Sequence, residues 1–174
     1  MSIVTRTGDG GTTGLMYNRR VPKHHPQVEA CGAVDELNAA LGLARAALRR
    51  GALRTQLRDV QQDLVVLMGE LATLRTDRDR YQRDGFTVVG ADRIRKLDGI
   101  AAAVEARVPR RRGWALPGES PVAAALDLAR TVCRRAERRV CALLDAGELE
   151  NREVGVYLNR LADVLWLWAR ESEE

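Results

Sequence analysis

Near its N terminus the chain reads Thr5-Arg-Thr-Gly-Asp-Gly-Gly-Thr-Thr-Gly14, with Arg19, Arg20 and Lys23 soon after. Glycines let backbone N–H groups approach anionic oxygens closely, threonine hydroxyls add donors, and the basic side chains neutralise charge. Asp9 is a carboxylate able to help hold a metal ion on bound phosphates. This chemistry suits a polyphosphate ligand. The segment is not a Walker phosphate loop, and its composition alone leaves two readings open: an anion-binding loop, or a glycine-rich turn with no ligand.

A second set lies further on. Arg130, Arg134, Glu137 and Cys141 step by four, three and four, each one residue beyond an apolar position (Ala129, Cys133, Ala136, Val140). On a helix they form the shoulder of the apolar stripe, with Arg135 and Arg138 adding charge nearby. Spacing allows either a solvated face laced with pairs such as Arg134 with Glu137, or one wall of a polyanion site. A third set is Asn159, Arg160 and Asp163. Asn159 and Asp163 share a face, which suits a nucleotide contact plus an arginine-orienting carboxylate, or a polar contact between helices. His24 and His25 are the only histidines, so no Ser/His/Asp or Cys/His constellation stands out.

The elements that would position these groups are helices. Val34, Leu37, Leu41, Ala44 and Leu48 recur at steps of three and four. So do Leu53 to Leu74, Ile94 to Val108, Val122 to Leu143, and Val154 to Trp168. Five segments with one apolar stripe each predict an all-α protein, a bundle of five antiparallel helices. Residues 1–26 show no helical period and read as a loop that something must order, ahead of a bundle over 27–174 in one domain. Arg49-Arg-Gly51 ends the first helix, Ser120 caps the fourth with Pro121 at its first position, Gly147 closes it, and Asn151 caps the fifth. Asp77 to Gly90 reads as a polar, mobile connection, and Pro109 to Pro121 as a second break.

The bulk properties agree. A chain of 174 residues is long enough for one sizeable core, and with 45% apolar and only 4% aromatic residues that core is aliphatic. The net charge is +4, with both signs mixed along the chain and no Lys/Arg-rich arm or zinc finger, so the arginines favour a polyphosphate ligand over nucleic acid. Cys31, Cys133 and Cys141 form no CxxC pair and read as small buried hydrophobes in a reducing compartment. No secretory or membrane-spanning run is seen, and the expected location is the cytoplasm.

Read in order, Thr5-Arg-Thr-Gly-Asp-Gly-Gly-Thr-Thr13, Arg20-Val-Pro-Lys23, Val34-Asp-Glu-Leu-Asn38, Leu116-Pro-Gly118, Ala129-Arg-Thr-Val-Cys-Arg-Arg-Ala-Glu-Arg-Arg-Val140 and Tyr157-Leu-Asn-Arg-Leu-Ala-Asp163 resemble the ATP:cob(I)alamin adenosyltransferases of the propanediol-utilisation type. The likeness runs over nearly the whole chain. It implies a ferritin-like four-helix core plus one helix, assembled as a homotrimer with active sites between subunits. It implies transfer of the 5′-deoxyadenosyl group of ATP to cob(I)alamin, with adenosylcobalamin and triphosphate as products.

Carried over by motif, Thr5, Arg6, Thr7, Gly8, Thr13, Gly14 and Lys23 would hold ATP, completed by Arg134, Arg135, Ala136, Glu137, Arg138 and Asn159. Arg134, Glu137 and Trp114 would serve catalysis, with Trp114 and Asp163 on the cobalamin side and Asp35 paired to Arg130 across the subunit interface. Magnesium would travel mainly on the ATP phosphates, without a dedicated protein cage. A reductase and a cobalamin-dependent mutase would be partners, and no nucleic acid or membrane. The chain departs from the family pattern at Gly10, where a lysine is usual, at Asn18-Arg19, His24-His25, Glu119 and Ala162, and at Trp114, where Phe is usual. The alternative of another class is a non-catalytic helical bundle that carries or senses ATP or cobalamin.

Overall fold

A computed structural model describes residues 3–108 and 113–173. Its long elements are helices α1 (Pro26–Ala47), α2 (Ala52–Leu71), α4 (Ala91–Glu105), α5 (Pro121–Asp145) and α6 (Glu153–Glu171), with a short α3 (Arg78–Arg83) between α2 and α4. α1 packs chiefly on α5 and also on α2, α5 on α6, and α6 on α4. The apolar stripes meet in one core, where Leu37, Leu64, Leu126, Leu158 and Trp168 are fully buried. The buried faces of α1 and α5 are rich in alanine (Ala30, Ala33, Ala40 and Ala44 against Ala123, Ala129 and Ala136), which lets these two helices approach closely.

Helix ends follow local chemistry. Pro26 opens α1, and the His25 ring Nδ1 accepts the Gln27 amide at 3.3 Å. Ser120 Oγ accepts the Ala123 amide at 3.1 Å and donates to the Ser172 carbonyl at 2.7 Å, so one hydroxyl caps α5 and ties it to the end of α6. Gly147, at φ +70°, takes the left-handed conformation just after α5. Asn151 Oδ1 accepts the Glu153 amide at 3.1 Å at the start of α6.

The structure departs from the sequence reading in three places. The N-terminal segment contains a small antiparallel hairpin, β1 (Thr12–Gly14) with β2 (Arg20–Pro22), in the register Thr12↔Pro22, Thr13↔Val21 and Gly14↔Arg20. The stripes of α2 and α4 extend past their helices, which stop at Leu71 and Glu105 instead of Leu74 and Val108. The segment 77–90, expected as a mobile connection, carries α3 and is pinned by Tyr81 and Val89, both buried, and by Phe86 stacked on Tyr81 at 4.7 Å. The expected break at Pro109–Pro121 lies partly outside the described residues.

A buried carboxylate completes that pinning. Glu70, with no exposed surface, accepts the Val89 amide at 2.5 Å and both its oxygens accept Asn151 Nδ2, at 3.2 and 2.9 Å. The Arg78 guanidinium lies 3.6 Å from it. Removing one partner of a buried ionic cluster leaves the rest desolvated and unmatched. Glu70→Ala is expected to lower unfolding free energy by about 3 kcal/mol, read as a shift of the urea midpoint at unchanged slope.

Candidate functional site

The glycine/threonine loop leads into the hairpin and is organised by it. Arg20 Nη2 donates to the Thr7 carbonyl at 2.7 Å and the same group bonds the Thr12 hydroxyl. The Lys23 amide donates to the Gly11 carbonyl at 2.9 Å, and the Gly11 amide to the Gly8 carbonyl at 3.1 Å. The Thr5 and Thr7 hydroxyls lie 3.0 Å apart. Gly8 lies close beneath the lysine: a Cβ there would sit 3.3 Å from both Cε and Nζ of Lys23 and from the Thr12 carbonyl oxygen. The Lys23 amine thus lies over the backbone of the loop. Thr5, Arg6, Thr7 and Gly14 are exposed, and Gly8 and Thr13 half-buried, so hydroxyls and positive charge face outward, ready for an anion.

The α5 shoulder supplies the second wall. Arg134 pairs with Glu137 at 2.8 Å and donates from Nη1 to the Asn159 Oδ1 of α6 at 3.0 Å. Two sets that the sequence left separate are therefore one cluster. Arg135 pairs with Glu36 of α1, and Arg139 with Glu29 at 3.2 Å. A cavity of about 180 Å³ lies between them, lined by Lys23, Glu29, Gly32, Glu36 and Arg135 among others. It brings the loop's lysine and an α5 arginine to one concavity. Ala136 is buried beneath this wall, and Arg138 is exposed beside it.

Cys133 is buried under Arg134, and burial pushes its thiol well above the usual thiol range, with the Glu137 carboxylate adding to the effect. It is a packing group and not a nucleophile.

A second concavity of about 360 Å³ opens between α4 and α6. Its lining includes Ala101, Glu105, Arg160, Asp163, Trp166 and Leu167. Arg160 pairs with Asp98 and lies 3.8 Å from Asp163. Asp163 thus faces a partly apolar hollow one helical turn beyond Asn159. Trp114 stands away from the body at 99% exposure, followed by Leu116 at 77%. Asp35 is exposed on α1, and Arg130 lies 3.7 Å from Asp127 of its own helix; among the described residues no ion pair within the chain joins Asp35 to Arg130.

Sequence reasoning missed Trp166, Glu29, Glu36 and the role of Arg20. Trp166 had a readable signal, since it is an aromatic one position past the stripe residue Leu165, on the outer side of α6. The others pair across distant segments and leave no local pattern. Among the described residues no group of three or more His, Cys, Asp or Glu is placed to hold a metal ion. Asp9 is an exposed carboxylate on the loop itself.

The model of a family described as cobalamin adenosyltransferase matches residues 3–172. The corrinoid adenosyltransferase PduO of Citrobacter freundii is 41% identical over 174 residues, 99% of this chain but 50% of the relative. The chain thus spans about half the length of that relative and of its counterpart in Salmonella typhimurium. A cobalamin adenosyltransferase of Cupriavidus metallidurans is 41% identical over 172 residues, covering 97% of this chain and 86% of the relative. Among solved structures, a variant PduO-type ATP:corrinoid adenosyltransferase from Lactobacillus reuteri complexed with cobalamin and ATP superposes with a TM-score of 0.89 at 32% identity, covering 99% of this chain and 91% of that one. Another variant of that enzyme, complexed with ATP, gives 0.86 at 30% identity, covering 98% of this chain and 94% of that one.

Proposed function

The chain belongs to the cobalamin adenosyltransferase family, and from that premise we propose that it transfers the 5′-deoxyadenosyl group of ATP to cob(I)alamin. The observation that carries this reading is the joint wall of Arg134, Glu137 and Asn159 beside the concavity shared by Lys23 and Arg135. Cobalt(I) is already a strong nucleophile. It attacks the 5′ carbon of ATP, a cobalt–carbon bond forms, and the carbon–oxygen bond breaks with its electron pair leaving on triphosphate. No general base is needed, in keeping with a site of arginines, a lysine and loop amides. The protein's task is to align the two reactants and to stabilise a leaving polyanion.

In this reading Thr5, Arg6, Thr7, Gly8, Thr13, Gly14 and Lys23 hold the phosphates, and Arg134, Arg135, Ala136, Glu137, Arg138 and Asn159 complete the nucleotide site. The exposed donors of the loop and the guanidinium groups of α5 support this assignment. The corrin lies on the side of Asp163, whose partly apolar hollow with Trp166 and Leu167 suits one edge of a large ring. Trp114 closes below the ring, where it excludes water and the lower axial donor; its exposure leaves it free to meet a ligand or a neighbouring subunit. Magnesium neutralises phosphate charge when bound, and Asp9, an exposed lone carboxylate, fits an ion carried mainly by ATP.

The bundle works as a single domain with a ferritin-like four-helix core plus one helix. It works as a homotrimer in the cytoplasm, with Asp35 meeting Arg130 of a neighbouring copy. A reductase supplies cobalt(I) and a cobalamin-dependent mutase accepts the product. No helix among the described residues is long and apolar enough to cross a membrane.

The test is an anaerobic assay with ATP, magnesium and chemically reduced cobalamin, following the corrin absorbance as the cobalt–carbon bond forms. Protein-dependent adenosylcobalamin and triphosphate are expected. ATP binding without product would overturn the enzymatic reading in favour of a carrier or sensor.

A further inference from the structure

The N-terminal segment has little apolar attachment to the bundle. Among residues 3–25 only Val21 is buried. Leu15, Met16 and Tyr17 are half-buried beside it, so the placement of the segment depends largely on directed polar contacts. Those contacts run to the connection between α2 and α3 and to α3 and its C-terminal end. Met16 donates its amide to the Ala72 carbonyl at 2.9 Å. Arg19 grips Asp77 with two prongs, Nε to Oδ2 and Nη2 to Oδ1, both at 2.7 Å. The Tyr17 hydroxyl donates to Asp84 at 3.0 Å, and the Arg80 guanidinium lies 4.2 Å from the centre of the Tyr17 ring.

These contacts hold a conformation the chain would not choose alone. Tyr17 and Asn18 both have positive φ, +58° and +57°, which is unfavourable for a tyrosine. The turn they form brings Arg19 against Asp77, a carboxylate only 5% exposed. Alternation along β2 then divides the work. Val21 faces the body with Arg19, while Arg20 and Pro22 are exposed on the opposite side. Arg20 is the side chain that holds Thr7 and Thr12, and Lys23 follows directly. One short strand therefore links the bundle, through Arg19, to the phosphate-facing loop, through Arg20 and Lys23.

We infer that Arg19 and Asp77 are positioning residues for ATP: their two-pronged bond sets where the Thr5–Gly14 loop stands relative to the α5 arginines. This rests on the reading of that loop as the ATP site. The guanidinium is half exposed, and the bond is maintained by planar fork geometry and by the burial of its acceptor more than by net attraction.

The sign of the effect separates positioning from plain electrostatics. Asp77 is negative, so removing it should strengthen binding of a polyanion if only long-range charge matters. If it positions the loop, removing it must weaken ATP.

The experiment is calorimetric titration of magnesium-ATP onto the full chain without corrinoid, for wild type, Asp77→Ala, Arg19→Ala, Arg19→Lys and the exchanged pair Arg19→Asp with Asp77→Arg. It is joined by steady-state KM values for ATP and for cob(I)alamin. Both alanine variants are expected to bind ATP about tenfold more weakly, because part of the population has the loop misplaced. Arg19→Lys keeps the charge but loses the fork, so it is expected to weaken ATP as well. The exchanged pair is expected to regain most of the loss, and the KM for cob(I)alamin to stay within about twofold.

ATP binding by Asp77→Ala that is unchanged or tighter overturns the inference. So does a KM for cob(I)alamin that rises in step with that for ATP. Should Asp77→Ala fail to fold, Arg19→Lys decides alone, and wild-type affinity in it refutes the positioning role. A wild-type protein that binds ATP but forms no product defeats the enzymatic reading while the ATP titrations still score the pair. A wild-type protein that binds no ATP overturns both.

Discussion

Arg134→Ala is expected to abolish adenosyl transfer while leaving the protein folded. The side chain is about half exposed, at 48%, and sits on the shoulder of α5 and not in its stripe. Its loss opens no core cavity, and the change in melting temperature is expected to be small. What disappears is the cation that, among the described residues, contacts both Glu137 and Asn159. That pair holds the guanidinium in a fixed direction before any ligand arrives, so it stabilises charge developing on triphosphate without reorganising. Losing a preorganised donor of this kind costs about 10²–10³ in turnover, or about 3–4 kcal/mol of barrier. The measurement is single-turnover formation of adenosylcobalamin at saturating ATP, beside a thermal melt. Turnover equal to wild type in a folded variant would refute the assignment of Arg134.

The second expected result concerns Trp114. Trp114→Ala should reduce transfer severely when cob(II)alamin must first be reduced, and only mildly when cob(I)alamin is supplied. An axial donor pushes electron density onto the cobalt, so removing it makes the metal easier to reduce; axial-ligand identity is a principal control of such potentials. Once cobalt(I) exists, that contribution has already been made. A loss of about a hundredfold in the coupled assay against about threefold with pre-reduced corrinoid is expected, a difference of about 2 kcal/mol. The indole makes no packing contribution to the bundle at 99% exposure, so stability should not change. Equal losses in the two assays would argue against the axial role.

Much of the bundle could be read from the sequence because a helix repeats its signal. Val122, Leu126, Ala129, Cys133, Ala136, Val140 and Leu143 restate one face every turn, and all but the half-buried Val122 are buried. The ends were less legible. Leu74 and Val108 continue the apolar period although their helices have stopped, since apolar residues after a helix can pack on the same core. β1 and β2 span three residues each and α3 spans six, too few for a period to show.

The same logic applies to the site. Arg134 and Glu137 are local to α5, and their relation follows from spacing. The Arg134 bond to Asn159 spans 25 positions and the Arg19 bond to Asp77 spans 58. Contacts of that range depend on how helices and turns are assembled, and no window of sequence encodes them. The loop's ligand was open on composition; the family likeness, not periodicity, pointed to ATP.

The alanine-rich approach of α1 and α5 has a bearing on what the hollow beside Lys23 can accommodate. Glu29 and Glu36 ride on α1, and Arg135 and Arg139 on α5, so two ion pairs bridge those helices beside the hollow that Lys23 also lines. Alanine has no side-chain torsion, so the alanines among the buried residues of α1 and α5 offer no alternative rotamers. The hollow itself can change through Lys23, Glu29, Glu36 and Arg135, whose side chains reach into solvent, whereas a shift of either helix would work against the close packing of the core. A bulkier or slimmer ligand would therefore be accommodated by those surface side chains and by the loop and hairpin before the helices move.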